Sequence, residues 1–378
     1  MPKIQNILIT GGAGFIGSHL ADGLLEKGYN INVLDNLDNQ VHGSSSQKPE
    51  YLHDKINFMQ GSVLEKESLR KSLQDMDAIF HFAASVGVGQ SMYQIEKYIS
   101  TNTQGTANLL DLLVNEEHSI KKVIVASSMS IYGEGKYHCS NCGDIFPKNR
   151  AIKSLKEKHW DFKCSTCGEI LKSTATDESK PLNPTSIYAQ SKRHQEEMVI
   201  LVGKTYNIPT VALRFFNVYG TRQALSNPYT GVCAIFSNRL KNKLPPIIYE
   251  DGLQSRDFIH VKDIVSANIL ALEKQAANGE IFNVGSGSPI SILNLANTLI
   301  EVFQLHIKSQ ILNQFRKGDI RHCFADITKI QRKLGFQPKI RLETGIQDLI
   351  DWVNAHSSIK DNFQTVESEL EKRGLKSR

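Results

Sequence analysis

Residues 3–35 carry the pattern that most narrows the fold. A short apolar run, KIQNILIT (residues 3–10), ends in Gly11-Gly12-Ala13-Gly14-Phe15-Ile16-Gly17, and a helical pattern follows over residues 18–27. A β-branched apolar run bounded by glycine reads as a buried strand. A second apolar run, residues 30–34, ends at Asp35. Strand, glycine turn, helix, strand and acid form the βαβ context that a dinucleotide site needs. Gly11 permits the tight turn, Gly14 lets backbone amides approach a pyrophosphate, and Gly17 lets helix and strand pack closely. The helix N-terminus then faces the phosphates. A plain βα turn would account for the glycines but not for the acid. Asp35 suits ribose hydroxyls and repels a 2′-phosphate. No Arg or Lys follows it until Lys48, so NAD is expected rather than NADP.

Strand and helix patterns keep alternating. Residues 56–60 read as a strand, 65–73 as a helix and 78–82 as a strand ending in His81-Phe82-Ala83-Ala84, small residues against which a cofactor can lie. A long helix spans about residues 93–115. Its Asn102 reads either as a cofactor contact or as an exposed helix residue. Residues 123–126 form a fifth strand ending in Ser127-Ser128. This alternation implies an α/β fold, a doubly wound parallel sheet of Rossmann type, with ligands at the carboxyl ends of the strands.

A second constellation lies at Tyr188-Ala-Gln-Ser-Lys192, after a proline-rich turn and at the head of a helical run, residues 189–204. Residues four apart share a helix face. A phenol with a reference pKa of about 10 is a poor base near neutrality. A neighbouring ammonium favours the phenolate and makes it a useful proton-transfer group. Taken alone, the pair also fits a surface helix with a snorkelling lysine.

The chain of 378 residues is long enough for one large core or two moderate ones. Its net charge of +5 is small and not gathered into a basic arm, so no nucleic-acid partner is expected. No apolar run approaches membrane-spanning length and no signal-peptide profile is present, so no membrane partner and a cytoplasmic address are expected.

Of the six cysteines, Cys233 and Cys323 read as packing residues. The others form Cys139-Ser-Asn-Cys142-Gly143 and Cys164-Ser-Thr-Cys167-Gly168. Two such knuckles supply four thiolates for a closed, structural Zn²⁺ site, with a slightly long intervening loop. A redox switch would need only one pair. A nucleic-acid-binding ribbon is the other alternative, given the basic and aromatic residues between the knuckles. A solvated lid that shapes or covers the substrate pocket accounts better for the location between Ser128 and Tyr188.

The glycine turn, Asp35, SSMSIYG around Ser128, Tyr188-x-x-x-Lys192, RFFNVYG (residues 214–220), SRDFIHVKD (255–263) and FNVGSG (282–287) occur in this order. Together they resemble the extended short-chain dehydrogenase/reductase family, in its nucleotide-sugar epimerase/dehydratase branch. The resemblance runs to about residue 355, and ordinary family members lack the cysteine segment. It implies an NAD-binding domain over residues 1–215, with the insertion at 136–172. A smaller, mainly substrate-binding domain would cover 216–378, with 257–284 returning to the first.

The resemblance further implies Ser128, Tyr188 and Lys192 as catalytic residues. Cofactor contacts would come from Gly11, Gly14, Phe15, Ile16, Gly17, Asp35, Asn36, Ser62, Val63, Phe82, Ala83, Ala84, Asn102, Tyr188, Lys192 and Phe215. Those to a nucleotide-diphosphate sugar would come from Val86, Ser128, Ser130, Asn217, Arg256 and Arg316, with Arg321 a rival to Arg316. His260 and Asp263 read as strand-end and cap residues, and residues 357–378 as a loosely docked or frayed helix. A homodimer through the helices at 93–115 and 188–203 is a family expectation.

Within the branch, 4,6-dehydratases resemble Thr-Asp-Glu where this chain has Ser128-Met129-Ser130. Met129 can neither donate nor accept a proton, which argues against dehydration. Asp35 argues against an NADPH-consuming reductase. Epimerisation at C4 is the expected activity. The insert, TRQALSNPYTGV and EDGLQSRDF resemble branch members assigned to dTDP-L-rhamnose, with UDP-hexose, UDP-uronate and GDP-sugars open. A non-catalytic NAD sensor would not need to keep Ser128, Tyr188 and Lys192 together.

Overall fold

The structure, a computed structural model, describes residues 4–43, 47–225, 227, 229, 231–355, 361 and 363–377. Lys3, at the head of the expected first strand, and residues 357–360, in the expected tail helix, lie outside the described residues.

Seven strands form one sheet: β1 (Asn6–Thr10), β2 (Asn30–Asp35), β3 (Asn57–Gln60), β4 (Ala78–His81), β5 (Lys122–Ser128), β6 (Thr210–Phe215) and β7 (Glu280–Val284). Their order is β7-β6-β5-β4-β1-β2-β3, and every pairing is parallel. The central strands are covered on both faces, which is why they read as continuous apolar runs: Ile7, Leu8, Ile9, Ile79 and Phe80 are all fully buried. After β3 the chain returns to place β4 on the other side of β1. That reversal opens a crevice above β1 and β4, where ligands of such sheets bind.

Helix α1 (Phe15–Glu26) follows β1 directly. The expected helix over 93–115 is helical from Ile95 but not uniform. A π-turn, Ile99–Gln104, interrupts it before α2 (Gly105–Asn115). Such bulges cannot be read from hydrophobic period and often sit at functional sites.

Helix α3 (Ile187–Tyr206) starts at Ser186, whose side chain accepts from the Ala189 N–H, and ends at left-handed Asn207. A buried ion pair seats it on the sheet: Arg214 of β6 bonds both oxygens of Glu196, at 2.9 and 2.6 Å. The same guanidinium donates to the Tyr132 hydroxyl and stacks over its ring at 4.8 Å. Each buried charge is thus paired and hydrogen-bonded.

A second body is built on a sheet of Asn217–Tyr219, Ser255–His260 and Pro289–Ser291, with His322–Cys323 added to the Ser255–His260 strand. Helices Val232–Lys241, Ile292–Val302 and Leu342–Ala355 enclose its core, which includes Phe236, Leu295 and Leu349. Helix α4 (Val261–Glu273) returns to pack on α1, where Gly23 leaves room for Val265. The His260 ring caps α4 by accepting from the Lys262 N–H, and Asp263 accepts from the Lys339 and Ile340 N–H groups.

The tail is docked, not frayed. Helix Phe363–Lys372 buries Leu370, and Arg373 stacks on Tyr93 at 4.2 Å. Beyond it, Ser377 and Phe315 exchange hydrogen bonds of 2.9 and 3.0 Å. The charged composition of the tail hides these few anchoring contacts.

Burial lowers the pKa of His81 to about 3 and that of His260 to about 4. Unfolded imidazoles titrate near 6.5, so between about pH 6.5 and 4 only the unfolded chain takes up these protons. Stability should therefore fall with pH by about 1.4 kcal/mol per unit for each buried imidazole. Denaturant unfolding across that range measures the slope. His260→Asn, which keeps a cap acceptor, should reduce it by about one proton; an unchanged slope contradicts the assignment.

Candidate active site

The glycine turn is shaped by what lies beneath it. Gly11 has φ of +69°, and a Cβ there would meet the backbone of Ala83 at 2.7 Å. A Cβ on Gly17 would meet the Gly11 carbonyl at 2.5 Å. Gly14 has open space apart from that same carbonyl, and as N-cap of α1 it leaves the first amides without a side-chain acceptor. The turn thus presents free N–H groups with room for a pyrophosphate. Asp35 is held at the end of β2 by the N–H groups of Ala13, at 3.0 Å, and Leu37, at 2.9 Å. Its remaining lone pairs suit ribose hydroxyls. These residues fit a dinucleotide.

Across the crevice, Ser128 ends β5 and Tyr188 and Lys192 occupy adjacent turns of α3. The Ser128 hydroxyl faces Tyr188 closely enough to act on its phenol, in the direction that lowers the pKa. Its Oγ also accepts from the Ser130 hydroxyl, at 2.9 Å. The Tyr188 ring meets Tyr98 edge-on at 6.3 Å. Lys192 differs from the expectation. Its Nζ donates to Gln195 Oε1, at 2.6 Å, and burial holds its pKa down at about 7. Burial likewise raises Tyr188, with Ser128 working against that. Desolvation is the largest cause for both, although Lys192 is nearly inaccessible and Tyr188 only half-buried at the cavity wall.

Beneath Lys192 runs a chain of buried polar groups. Gln195 Nε2 donates to Thr106 Oγ1, at 2.8 Å; His81 Nε2 meets the same hydroxyl at 2.9 Å, and His81 Nδ1 meets Thr10 Oγ1 at 2.8 Å. The chain connects α3 to β1, the strand that carries the glycine turn.

One cavity of about 720 Å³ joins the two halves. It is lined by every expected cofactor and substrate residue except Asn102. Asn102, in the π-turn, is fully buried. It accepts from the Ser85 N–H, at 2.7 Å, and donates to the Ser85 carbonyl and Ser191 Oγ, at 3.1 and 2.8 Å. Its amide is used up in tying the Ser85 loop to α3.

The far side of the cavity carries further polar groups, an acceptor and two guanidinium groups. The Asn217 Oδ1 is buried without a hydrogen-bond partner among the described residues, a polar atom left for a ligand. Arg316 is stacked on Tyr249 at 4.5 Å and held by Asp319 through Nε, and its terminal nitrogens have no hydrogen-bond partner among the described residues. Arg256 spends three N–H groups on the carbonyls of Ser255, Ile320 and Arg321, leaving two donors. Arg321, the rival, is only 1% exposed and bonds Asp161, Asp251 and Glu250. The sequence reading missed the C-terminal contribution: Phe363, Val366, Glu367 and Leu370 line the cavity.

The insertion carries strands Lys136–Cys139, Gly143–Ile145 and Lys172–Thr174. The sulfurs of Cys139, Cys142, Cys164 and Cys167 lie within 4.8 Å of one another, and both knuckle glycines have positive φ, +81° and +80°. Four thiolates so gathered fit tetrahedral Zn²⁺. The insertion is not a lid, since none of residues 136–172 lines the cavity.

Asn102→Ala should leave the Ser85 N–H without its partner and destabilise the fold by about 1–3 kcal/mol. It should also weaken NAD retention, because the loop it anchors lines the cavity. Urea titration and assay of co-purifying NAD read both effects; a wild-type midpoint contradicts the assignment.

Comparison with known proteins agrees with this geometry. Residues 7–151 match the NAD dependent epimerase/dehydratase family, and residues 166–349 match GDP-mannose 4,6 dehydratase. The two matches part inside the insertion. The chain is 32% identical to a dTDP-L-rhamnose 4-epimerase of Burkholderia thailandensis, over 92% of this chain and 95% of that one. Among solved structures, it resembles UDP-glucose 4-epimerase from Thermotoga maritima with UDP-glucose. The TM-score is 0.76 at 31% identity, over 93% of this chain and 99% of that chain. It equally resembles UDP-glucuronic acid 4-epimerase from Bacillus cereus in complex with UDP-glucuronic acid and NAD. There the TM-score is 0.76 at 27% identity, over 93% and 99%. The chain belongs to the NAD-dependent epimerase/dehydratase family, the nucleotide-sugar branch of the extended short-chain dehydrogenases/reductases.

Proposed function

We propose that this chain is an NAD-dependent nucleotide-sugar 4-epimerase. The observation that carries the reading is the meeting of Ser128, Tyr188 and Lys192 with the glycine turn and Asp35 in one cavity, with Met129 beside Ser128. Asp35, the free amides of α1 and the small residues Ala83 and Ala84 would hold NAD. Bound there, NAD supplies the hydride sink and source for the sugar C4, and its positive charge favours the Tyr188 phenolate.

Tyr188 removes the proton from the 4-hydroxyl, and Ser128 hydrogen-bonds the same oxygen. Burial holds the Tyr188 phenol above its ordinary value before cofactor binds, so bringing it to neutrality takes more than the ~4 kcal/mol that an unperturbed phenol needs. The Lys192 ammonium and the cofactor charge act in that direction. The transient 4-keto sugar turns within the cavity, and Tyr188 returns the proton to the oxygen of the inverted carbon. Asn217, Arg256 and Arg316 hold the diphosphate, for which guanidinium donors are suited.

The family matches span both reactions, so the choice between them rests on residues 128–130. Met129 packs with Tyr132, Phe216 and Ala325 and titrates nothing. This favours epimerisation over loss of water. dTDP-L-rhamnose is the substrate we propose first, on the strength of the relative bearing that activity. We assign structural Zn²⁺ to the four thiolates.

NMR of a panel of NDP-sugars incubated without added cofactor tests the reading. A C4-inverted sugar is expected, with dTDP-L-rhamnose turned over fastest. A 4-keto-6-deoxy product would establish a dehydratase, and no turnover of any sugar a cofactor sensor. Tyr188→Phe should retain NAD and lose about 10²–10⁴-fold in rate; near-wild-type turnover removes Tyr188 from the chemistry.

A further inference from the structure

The insertion stands behind the wall of the cavity that carries Arg256 and Arg316. The chain between Cys142 and Cys164 provides the contacts. Arg150 is buried and makes a bidentate pair with Glu250, at 2.8 and 2.7 Å, and donates to the Asp319 carbonyl, at 2.9 Å. Asp161 receives Arg321 Nε at 2.8 Å. Leu155 and Trp160 pack on Phe315. From the strand before the first knuckle, the Tyr137 hydroxyl donates to Glu134. Glu134 in turn accepts from the N–H groups of Arg321 and His322.

The partners of these residues belong to the cavity. Tyr249, Glu250, Arg256, Arg316, Asp319 and Ile320 line it. Glu250 sits in the left-handed region, φ 53°, a conformation that persists in a non-glycine residue only when its surroundings hold it. Arg150 and Arg321 are the cations that hold its carboxylate. The Ile320 and Arg321 carbonyls, which orient Arg256, follow the Asp319 carbonyl that Arg150 grips. A metal joining the two knuckles would pin both ends of the segment bearing Arg150, Leu155, Trp160 and Asp161. That removes the closure entropy that these contacts would otherwise have to offset.

We propose that the four-cysteine insertion is a positioning element for the diphosphate end of the substrate cavity. Metal binding at the knuckles sets Arg150 against Glu250 and thereby fixes Arg256 and Arg316. The proposal rests on the nucleotide-sugar reading above, and Arg150 is a positioning residue that touches neither substrate nor cofactor.

The test uses the full chain with its co-purified NAD. Zinc is counted by elemental analysis, and dTDP and UDP binding is measured by calorimetry. Arg150→Met should keep zinc and NAD, weaken binding of the preferred nucleotide by roughly tenfold, and raise KM with kcat nearly unchanged. Cys142→Ser/Cys167→Ser, which alters the two exposed thiols, should lose zinc and show the same loss of affinity. If that double variant does not fold, chelation of zinc from the wild type replaces it. Wild-type nucleotide affinity after either perturbation overturns the proposal. Failure of the wild type itself to bind dTDP or UDP, with NAD and zinc present, would instead overturn the nucleotide-sugar reading.

Discussion

Lys192 is nearly inaccessible in the wall of the cavity, and the groups beneath it are arranged around that fact. A buried ammonium is costly unless something accepts its protons, and burial has brought its pKa to about 7. The acceptor is Gln195, and Gln195 is fixed through Thr106 and His81 to Thr10 on β1. His81 can serve because burial keeps it neutral, with one ring nitrogen to donate and one to accept. The strand that leads into the glycine turn and the helix that carries Tyr188 and Lys192 therefore share one hydrogen-bonded spine. The Glu196–Arg214 pair, one residue further along α3, fixes the same helix to β6. Registration between the glycine turn and the Tyr188–Lys192 pair is thus set by elements anchored to the sheet.

The substrate half follows a different logic. Its arginines project from a second, smaller sheet and from the segment 315–322, which has little regular structure of its own. Order there comes from buried charges. Arg150, Arg321, Glu134 and Glu250 are each nearly inaccessible, and each meets an opposite charge or a backbone group. Such networks are sensitive to the loss of one member, because the charge left behind stays buried. The insertion and the C-terminal tail both attach to this segment, on Phe315 and Lys317 among others.

What could be read from the sequence divides along the same line. Strands, helices, the glycine turn, Asp35 and the Tyr188–Lys192 pair have local signatures of period, glycine spacing and residue type. Asn102 could be singled out as polar, but not assigned. Its role arises from a π-turn that points the amide at Ser85 and Ser191, a distortion that hydrophobic period does not encode. Choosing between Arg316 and Arg321 needed the fold, since only packing reveals that Arg321 faces Asp161, Asp251 and Glu250. The tail had too few apolar residues to announce its docking, and Leu370 and Arg373 accomplish it through long-range contacts. The spacing of Tyr188 and Lys192 revealed that they share a helix face but not how far burial would desolvate them, since spacing carries no information about solvent.

The insertion leaves and rejoins the scaffold at adjacent points: Lys136 pairs with Thr174 across an antiparallel ladder. A segment whose ends already touch can be gained by an ancestral chain without disturbing the strands on either side. Losing it again is another matter. Excision would take Arg150 from Glu250 and Asp161 from Arg321, leaving Arg321 to hold Glu250 and Asp251 without that bracing. Joining such a segment is topologically cheap, whereas removing it would loosen a buried network whose members lie far apart in the chain.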